Sequence, residues 1–206
     1  MIRVFNIFFS IFGLVILLPL LLVISFLVKV TSPGPIFFRQ KRVGQNNIDF
    51  NLFKFRTMQV DSDKSSLLTI GNSDIRITSV GRHLRRLKLD ELPQLFNVFI
   101  NNMSLVGPRP EVRKYVNMYT PDQMRILSVK PGITDWASIM FKDENEMLAK
   151  SKNPEYEYIN NILPLKIKYN QIFINNYSSY EYFKILIVTL VKIINPGIRI
   201  CKKKNK

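Results

Sequence analysis

A single cysteine, a single histidine and a single tryptophan occur among the 206 residues. With Cys201 alone, no intramolecular disulfide can form, which fits a reducing compartment. With His83 alone, histidine-rich metal sites are excluded, and a Ser-His-Asp triad is disfavoured. Acids are also scarce: 15 Asp and Glu stand against 30 Lys and Arg. No charge at all interrupts the run from Val4 to Val28, no acid precedes Asp49, and no internal repeat is visible.

What is abundant is positive charge. The net charge of +15 and a pI near 10.0 call for an anionic partner, and nucleic acid, anionic headgroups and nucleotide phosphates all qualify. A hydrophobic content of 47% over this length supports one modest core, hence one catalytic domain.

The uncharged run is rich in Ile, Leu, Val and Phe and exceeds the roughly 20 residues needed to span a bilayer. It is too long for a signal-peptide core, and Thr31–Pro35 offers no small-residue cleavage site. Pro19 lies in its middle and removes one helical hydrogen bond. Two topologies follow: a kinked spanning helix, or a helix that bends at Pro19 and leaves by the face it entered. Lys29, Arg39, Lys41 and Arg42 follow the run, which places the downstream domain on the cytoplasmic side.

Thr31–Pro35 (TSPGP) is a turn cluster ending that helix. Ile36–Arg42 and Phe50–Phe55 flank a polar loop, Gly44–Asp49, and predict a β-hairpin. Asp61–Ser66 reads as an exposed polar loop. Thr78–Lys88 predicts a helix capped by Thr78 or Ser79, with Leu84 and Leu87 on one face. Asp90 is expected to cap a second helix, with Glu91 in its first turn and Pro93 close behind. Lys130–Ile133 is a turn leading to Trp136. Asn145 to Asn176 is helical but broken at Pro154 and Pro164. Tyr180–Ile194 is an apolar helix interrupted by Lys184 and Lys192, expected to pack or to lie at a membrane surface. Pro196-Gly197 stops it, and Lys202–Lys206 forms a basic tail that attracts anionic lipid.

Asp90 and Glu91 are the residues that bear chemistry. Arg82, Arg85, Arg86 and Lys88 lead into them, and arginines fork onto phosphate oxygens. A carboxylate at a helix N-terminus is held as the anion, able to attack phosphorus. Its neighbour can hold Mg²⁺ together with substrate phosphates. The plainer alternative is that Asp90 only caps a helix while Glu91 pairs with Arg85 or Lys88. Arg109, between Pro108 and Pro110, sits on stiff backbone and suits a diphosphate or uridylate. Its plainer alternative is a salt bridge to Glu111 or Asp90.

The runs Ser32–Gly44 (SPGPIFFRQKRVG), Phe53–Met58 (FKFRTM), Asp74–Val98, Met103–Glu111 (MSLVGPRPE) and Lys130–Ala137 (KPGITDWA) occur in that order. Together they resemble the bacterial sugar transferase family, the monotopic polyprenol-phosphate phosphoglycosyl transferases, closely over residues 1–140 and loosely beyond. The resemblance implies an α+β, mostly helical fold. Residues 1–30 would be a re-entrant membrane helix bent at Pro19. Residues 31–206 would be a cytoplasmic catalytic domain with a small β-hairpin and amphipathic interfacial helices, at the inner membrane.

It further implies that Asp90 is the nucleophile toward the β-phosphate of a UDP-sugar, releasing UMP. Glu91 would be the acid associated with Mg²⁺, and Arg85 and Arg109 would contact phosphate or nucleotide. The sugar phosphate would pass to a polyprenyl phosphate, giving a polyprenyl diphosphate sugar by a ping-pong route. Two positions depart from the family pattern: Leu18 stands where serine precedes the helix proline, and Asp135 where glycine is common. Asp135 could alter sugar contacts or face solvent. Sugar identity is therefore not carried over.

Lys54 and Arg56 share one strand face and could form a basic wall toward phosphates or headgroups, or an ordinary amphipathic strand. Trp136 could stack on uracil, with packing or interfacial anchoring favoured. His83 is expected to be a partly buried structural histidine, and Cys201 is a weak lipidation candidate. The rival functions are a glycosyltransferase releasing UDP and a non-enzymatic basic membrane adaptor. The basic residues gather around carboxylates, which would repel a polyanion, so nucleic acid is not an expected partner.

Overall fold

The computed structural model describes residues 1–60, 62, 74–195 and 197. The 61–66 loop except Ser62, Pro196, Cys201 and the lysine tail lie outside the described residues.

The chain opens with two helices, α1 (Ile2–Ile16) and α2 (Leu18–Thr31), bent by 62° relative to each other. The bend falls at Leu17, just ahead of Pro19, whose ring supplies no N–H to the ladder. No helix among the described residues is by itself long and apolar enough to cross a membrane, and this bent pair is the one that passes together. The bend forms with Leu18 at the position where a serine was expected to help hold it.

One face of α1 breaks the apolar pattern. Arg3, Asn6, Ser10 and Gly13 recur at helical spacing, and Asn6 and Ser10 are buried while Phe8, Phe12 and Val15 are exposed. Asn6 donates to Ser104 Oγ at 2.9 Å and accepts from the Tyr182 hydroxyl at 2.5 Å. Arg3 donates to the carbonyls of Val98 and Phe99 at 2.9 and 3.0 Å. A Cβ at Gly13 would stand 3.2 Å from Leu95, so glycine here lets the helix approach its neighbour closely.

Strands β1 (Phe37–Val43) and β2 (Asp49–Phe55) form the expected antiparallel hairpin, with Phe37 opposite Phe55 and Val43 opposite Asp49. Helix α3 (Ser79–Arg86) is capped by Thr78, which accepts from Gly81 N. It ends one residue before Leu87, so Leu84 is buried and Leu87 is 60% exposed, rather than both sharing the inner face. His83 is also exposed, with Nδ1 3.0 Å from the Ser79 carbonyl, which corrects its expected burial.

Helix α4 (Gln94–Phe99) lies along the free edge of β2. The Asn97 carboxamide accepts from Phe53 N and donates to Asn51 O at 2.9 and 2.8 Å, supplying the partners a third strand would give. Strands β3 (Ser104–Val106) and β4 (Gly132–Thr134) pair in parallel. Their contact requires Gly132: a Cβ there would fall 2.1 Å from Gly107 N. Short helices α5 (Arg113–Val116), α6 (Trp136–Met140), α7 (Glu144–Ala149) and α8 (Pro154–Glu157) follow.

Pro154 starts α8 rather than breaking a helix, consistent with proline's fit to a first turn. The chain then widens through a π-turn at Tyr158–Ile162 and continues past Pro164 as α9 (Leu163–Asn175). Helix α10 (Ser179–Ile194) buries Tyr182 and Ile185 and exposes Ile187, Leu190, Ile193 and Ile194.

Between the hairpin and α9 lies a buried ionic network. Glu111 accepts from the Tyr158 hydroxyl at 2.5 Å and from Lys166 at 3.3 Å; Lys166 also reaches Glu144 at 3.1 Å, and Arg42 approaches Glu111 at 3.7 Å. Burial pushes the Glu111 carboxyl up, but Lys166 and Arg42 outweigh it and hold the group below its usual 4.5. Burial likewise opposes the Lys166 charge, yet Glu111 and Glu144 carry its pKa above 10.5.

A depressed Glu111 stabilises the fold above pH 4.5, and that contribution is lost as pH falls through its folded value. A raised Lys166 stabilises below pH 10.5 and is lost only as pH rises past its own. The network should therefore hold across the interval between them. Glu111→Gln, by leaving Lys166 only Glu144 as an anionic partner, should lower unfolding free energy by about 1–3 kcal/mol in denaturant melts at pH 7. The deficit should shrink on acidification below pH 4.5.

Candidate active site

Asp90 and Glu91 lie in a 3₁₀ turn, Leu89–Glu91, between α3 and α4. Lys88 enters it in the left-handed region, φ +57°, at a cost of about 1–2 kcal/mol for a residue with a side chain. Leu89 and Leu92 pack with Ile24 and Val28 of α2, Phe55 of β2 and Leu84 of α3, which fixes the turn against the helical pair.

The expected helix cap is not what Asp90 makes. Helix α4 begins only at Gln94, with Pro93 in the capping position, so Asp90 sits a turn upstream and takes no backbone N–H. It is 6% exposed, and its Oδ1 is buried without a hydrogen-bond partner among the described residues. Burial pushes its pKa up; Lys54, Arg85 and Lys88 pull it down, and Glu91 adds to the rise. The net direction is upward, against the expected helix-stabilised anion. Gln94 Nε2, also buried and unpartnered among the described residues, lies four positions on.

Glu91 makes neither of the pairings weighed for it. Lys54 Nζ donates to its Oε1 at 3.0 Å. Arg109 forks onto both oxygens, Nη1 to Oε2 at 3.1 Å and Nη2 to Oε1. Burial opposes this charge, but Arg109 and then Lys54 hold the Glu91 carboxyl well below the usual range. Arg109 therefore pairs with Glu91 rather than with Glu111 or Asp90, and Glu91 carries its pKa up. Lys54 moves the other way, because burial outweighs the help from Glu91. Arg85 completes the group: its Nε donates to Thr57 Oγ1 at 2.9 Å, and against the burial that lowers its pKa, Asp90 is the strongest favourable charge acting on it.

Asp90, Glu91, Lys54, Arg85 and Arg109 thus come together, and Arg56 does not. Its guanidinium is buried on the carbonyls of Val28, Ser32 and Pro33, which corrects the shared basic wall expected from strand alternation. Asp135 neither faces solvent nor stands open to a ligand. It is fully buried, accepts from Arg109 N at 3.1 Å and Ser138 N at 2.6 Å, and caps α6. Trp136 packs, donating to Glu181 at 2.8 Å beneath Lys184. Sequence inspection missed Thr57 and Gln94, whose residue types carry no signal apart from these neighbours.

Fold and site together define a small α+β domain that presents a buried Asp90, a half-buried Glu91 and three cations beside an apolar helical pair. The sequence pattern of the family described as "Bacterial sugar transferase" matches residues 1–196. Over 190 residues, 90% of the chain, it is 37% identical to a UDP-glucose:undecaprenyl-phosphate glucose-1-phosphate transferase of Xanthomonas campestris pv. campestris. Over 125 residues, 59% of the chain, it is 44% identical to a UDP-N-acetylgalactosamine-undecaprenyl-phosphate N-acetylgalactosaminephosphotransferase of Aeromonas hydrophila. These matches cover 37% and 30% of the two relatives' own lengths. An uncharacterized sugar transferase of Bacillus subtilis (strain 168) is 37% identical over 199 residues, covering 96% of this chain and 89% of that one. The chain belongs to the bacterial sugar transferase family.

Because Asp135 satisfies two part-buried amides, Asp135→Ala should destabilise the protein by about 1–2 kcal/mol, read as a lower denaturant midpoint.

Proposed function

We propose that this chain moves a sugar 1-phosphate from a UDP-sugar to a polyprenyl phosphate, passing through an ester of Asp90 and beginning the membrane stage of glycan assembly. The observation that carries this reading is the buried Asp90 carboxylate with an unpartnered oxygen, set beside Lys54 and Arg85. The names of the Xanthomonas and Aeromonas relatives support the donor and acceptor classes.

An Asp90 oxygen attacks the β-phosphorus of the donor. The bond from that phosphorus to the bridging oxygen breaks, and its electron pair leaves with UMP. An oxygen of the acceptor phosphate then attacks the same phosphorus. The Asp90 ester opens, the carboxylate returns, and the lipid carries a diphosphate sugar. The sugar–oxygen bond stays intact throughout. Arg85, Arg109 and Lys54 stabilise the charge gathering on the phosphoryl oxygens.

Among the described residues no three His, Cys, Asp or Glu side chains gather into a metal site. Mg²⁺ takes one or two carboxylates and completes its shell with phosphates and water. Glu91 would hold it, exchanging one of its cation contacts, beside Asp90, whose Oδ1 has no hydrogen-bond partner among the described residues. When bound, the ion supplies positive charge to the diphosphate.

Residues 1–30 serve as a re-entrant anchor and residues 31–206 as the catalytic domain. Both ends of the bent pair are fastened to one domain, α1 through Arg3 and Asn6 and α2 through Arg56, so it enters and leaves by one face. Exposed Phe96, Phe99 and Ile100 on and after α4, with the outer face of α10, add apolar surface for lipid. The basic residues after α2 favour the cytoplasmic side of the inner membrane.

Incubation with a panel of UDP-sugars and Mg²⁺ should add one phosphosugar mass to Asp90 in the intact protein and release UMP. Asp90→Asn should abolish the adduct and lower turnover by at least about a thousandfold. Release of UDP, or lipid product without any adduct, would overturn the mechanism.

A further inference from the structure

Lys54 and Arg56 stand two residues apart on one extended segment yet serve different ends of the molecule. Lys54 reaches Glu91 at 3.0 Å. Arg56, whose N–H continues the hairpin by bonding Ile36 O, turns its side chain onto the exit of α2. Its Nη1 donates to Pro33 O at 2.5 Å, and its Nη2 reaches Ser32 O at 2.7 Å, Ser32 Oγ at 2.8 Å and Val28 O at 3.3 Å. The residue is 5% exposed.

The turn receiving it is shaped to fit. Gly34 has φ +120°, and a Cβ there would fall 2.1 Å from Arg56 Nη1. The carbonyls involved belong to the last turn of α2 and the residues just after it, which have no helical donors of their own. One planar fork therefore satisfies groups that would otherwise be stranded next to lipid.

We propose that Arg56 is a positioning residue that sets the height of the catalytic carboxylates above the membrane surface. This rests on the proposed function, in which the acceptor phosphate lies at headgroup level. Two residues of extended chain span only about 7 Å, so the helix exit and the Lys54–Glu91 contact are held at a short, stiff separation. Arg56 touches no substrate. It acts by preventing the bent α1–α2 pair from tilting against β2. Lysine cannot replace it, because one ammonium cannot fork across three carbonyls.

Trp136, the chain's one tryptophan, allows this to be read without an added label. In vesicles carrying shallow or deep brominated lipids, Arg56→Lys should change the ratio of deep to shallow Trp136 quenching by about twofold, since a lost clamp alters depth. The same variant should release UMP from donor alone within about twofold of the parent, while its KM for vesicle-borne polyprenyl phosphate rises about tenfold. A water-soluble short-chain prenyl phosphate should show no such rise.

An unchanged quenching ratio would overturn the proposal, as would equal losses in UMP release and in transfer to both acceptors. If Arg56→Lys fails to fold, Ser32→Ala, which removes one of the contacts, should shift quenching in the same direction by a smaller factor, and no shift would overturn the proposal. Should the parent release no UMP from any donor, the proposed function fails, while the quenching ratio still decides the role of Arg56.

Discussion

Glu91 is the joint on which the site depends. One half-buried carboxylate holds Lys54 from β2 and Arg109 from the loop between β3 and α5, tying together three stretches far apart in sequence. Burying ions costs several kcal/mol each unless partners compensate, and here one negative group compensates two positive ones. The arithmetic leaves positive charge in excess, with Arg85 adding more, beside an Asp90 that is itself desolvated. Such a site is incomplete without an anion. In the proposed reaction a diphosphate would bring the charge that balances the cations, so the same clamp would also prepare the chemistry.

A second constraint is how an apolar hairpin is held to a basic domain. Both fastenings use the same device: an arginine fork placed on carbonyls at a helix C-terminus. Arg3 of α1 sits on Val98 and Phe99 at the end of α4, and Arg56 sits on Val28 and the residues after α2. Those carbonyls lie where helical donors run out, although Val98 O also accepts from Asn101 N at 3.1 Å, and they carry the negative end of the dipole. Near lipid, where water is scarce, leaving them unpaired would cost more than at an ordinary surface. Positive charge thus performs two separate tasks in this chain, and counting it in the sequence cannot separate them.

That distinction marks where legibility ended. The β-hairpin, the Thr78 cap, the bend near Pro19 and the Tyr180–Ile194 helix were readable because each is a local pattern. Strands β3 and β4 were not, since three residues apiece give no period and their pairing depends on the absence of a side chain at Gly132. An acid followed closely by proline reads as a helix cap, yet the left-handed turn at Lys88 delays α4 and leaves Asp90 exposed to burial without amide partners. Strand parity predicted one shared basic face for Lys54 and Arg56. It could not reveal that their side chains reach two different elements, the carboxylate turn and the end of α2. The grouping of Asp90, Glu91, Arg85, Arg109 and Lys54 was nonetheless legible from the ordered motifs.

The two departures from the family pattern show how position decides what a residue must do. At Leu18 a serine could bond back to a carbonyl and support the bend, but here the geometry is already imposed by Pro19 and by fastenings at both ends of the hairpin, so leucine suffices. Asp135 replaces a residue without a side chain and cannot be neutral in the same way. A fully buried carboxylate needs donors, and it finds them in the amides of Arg109 and Ser138. It therefore binds the start of α6 to the backbone of Arg109. Rigidity at Arg109, elsewhere supplied by the flanking prolines, gains here a third source that only the folded chain brings within reach.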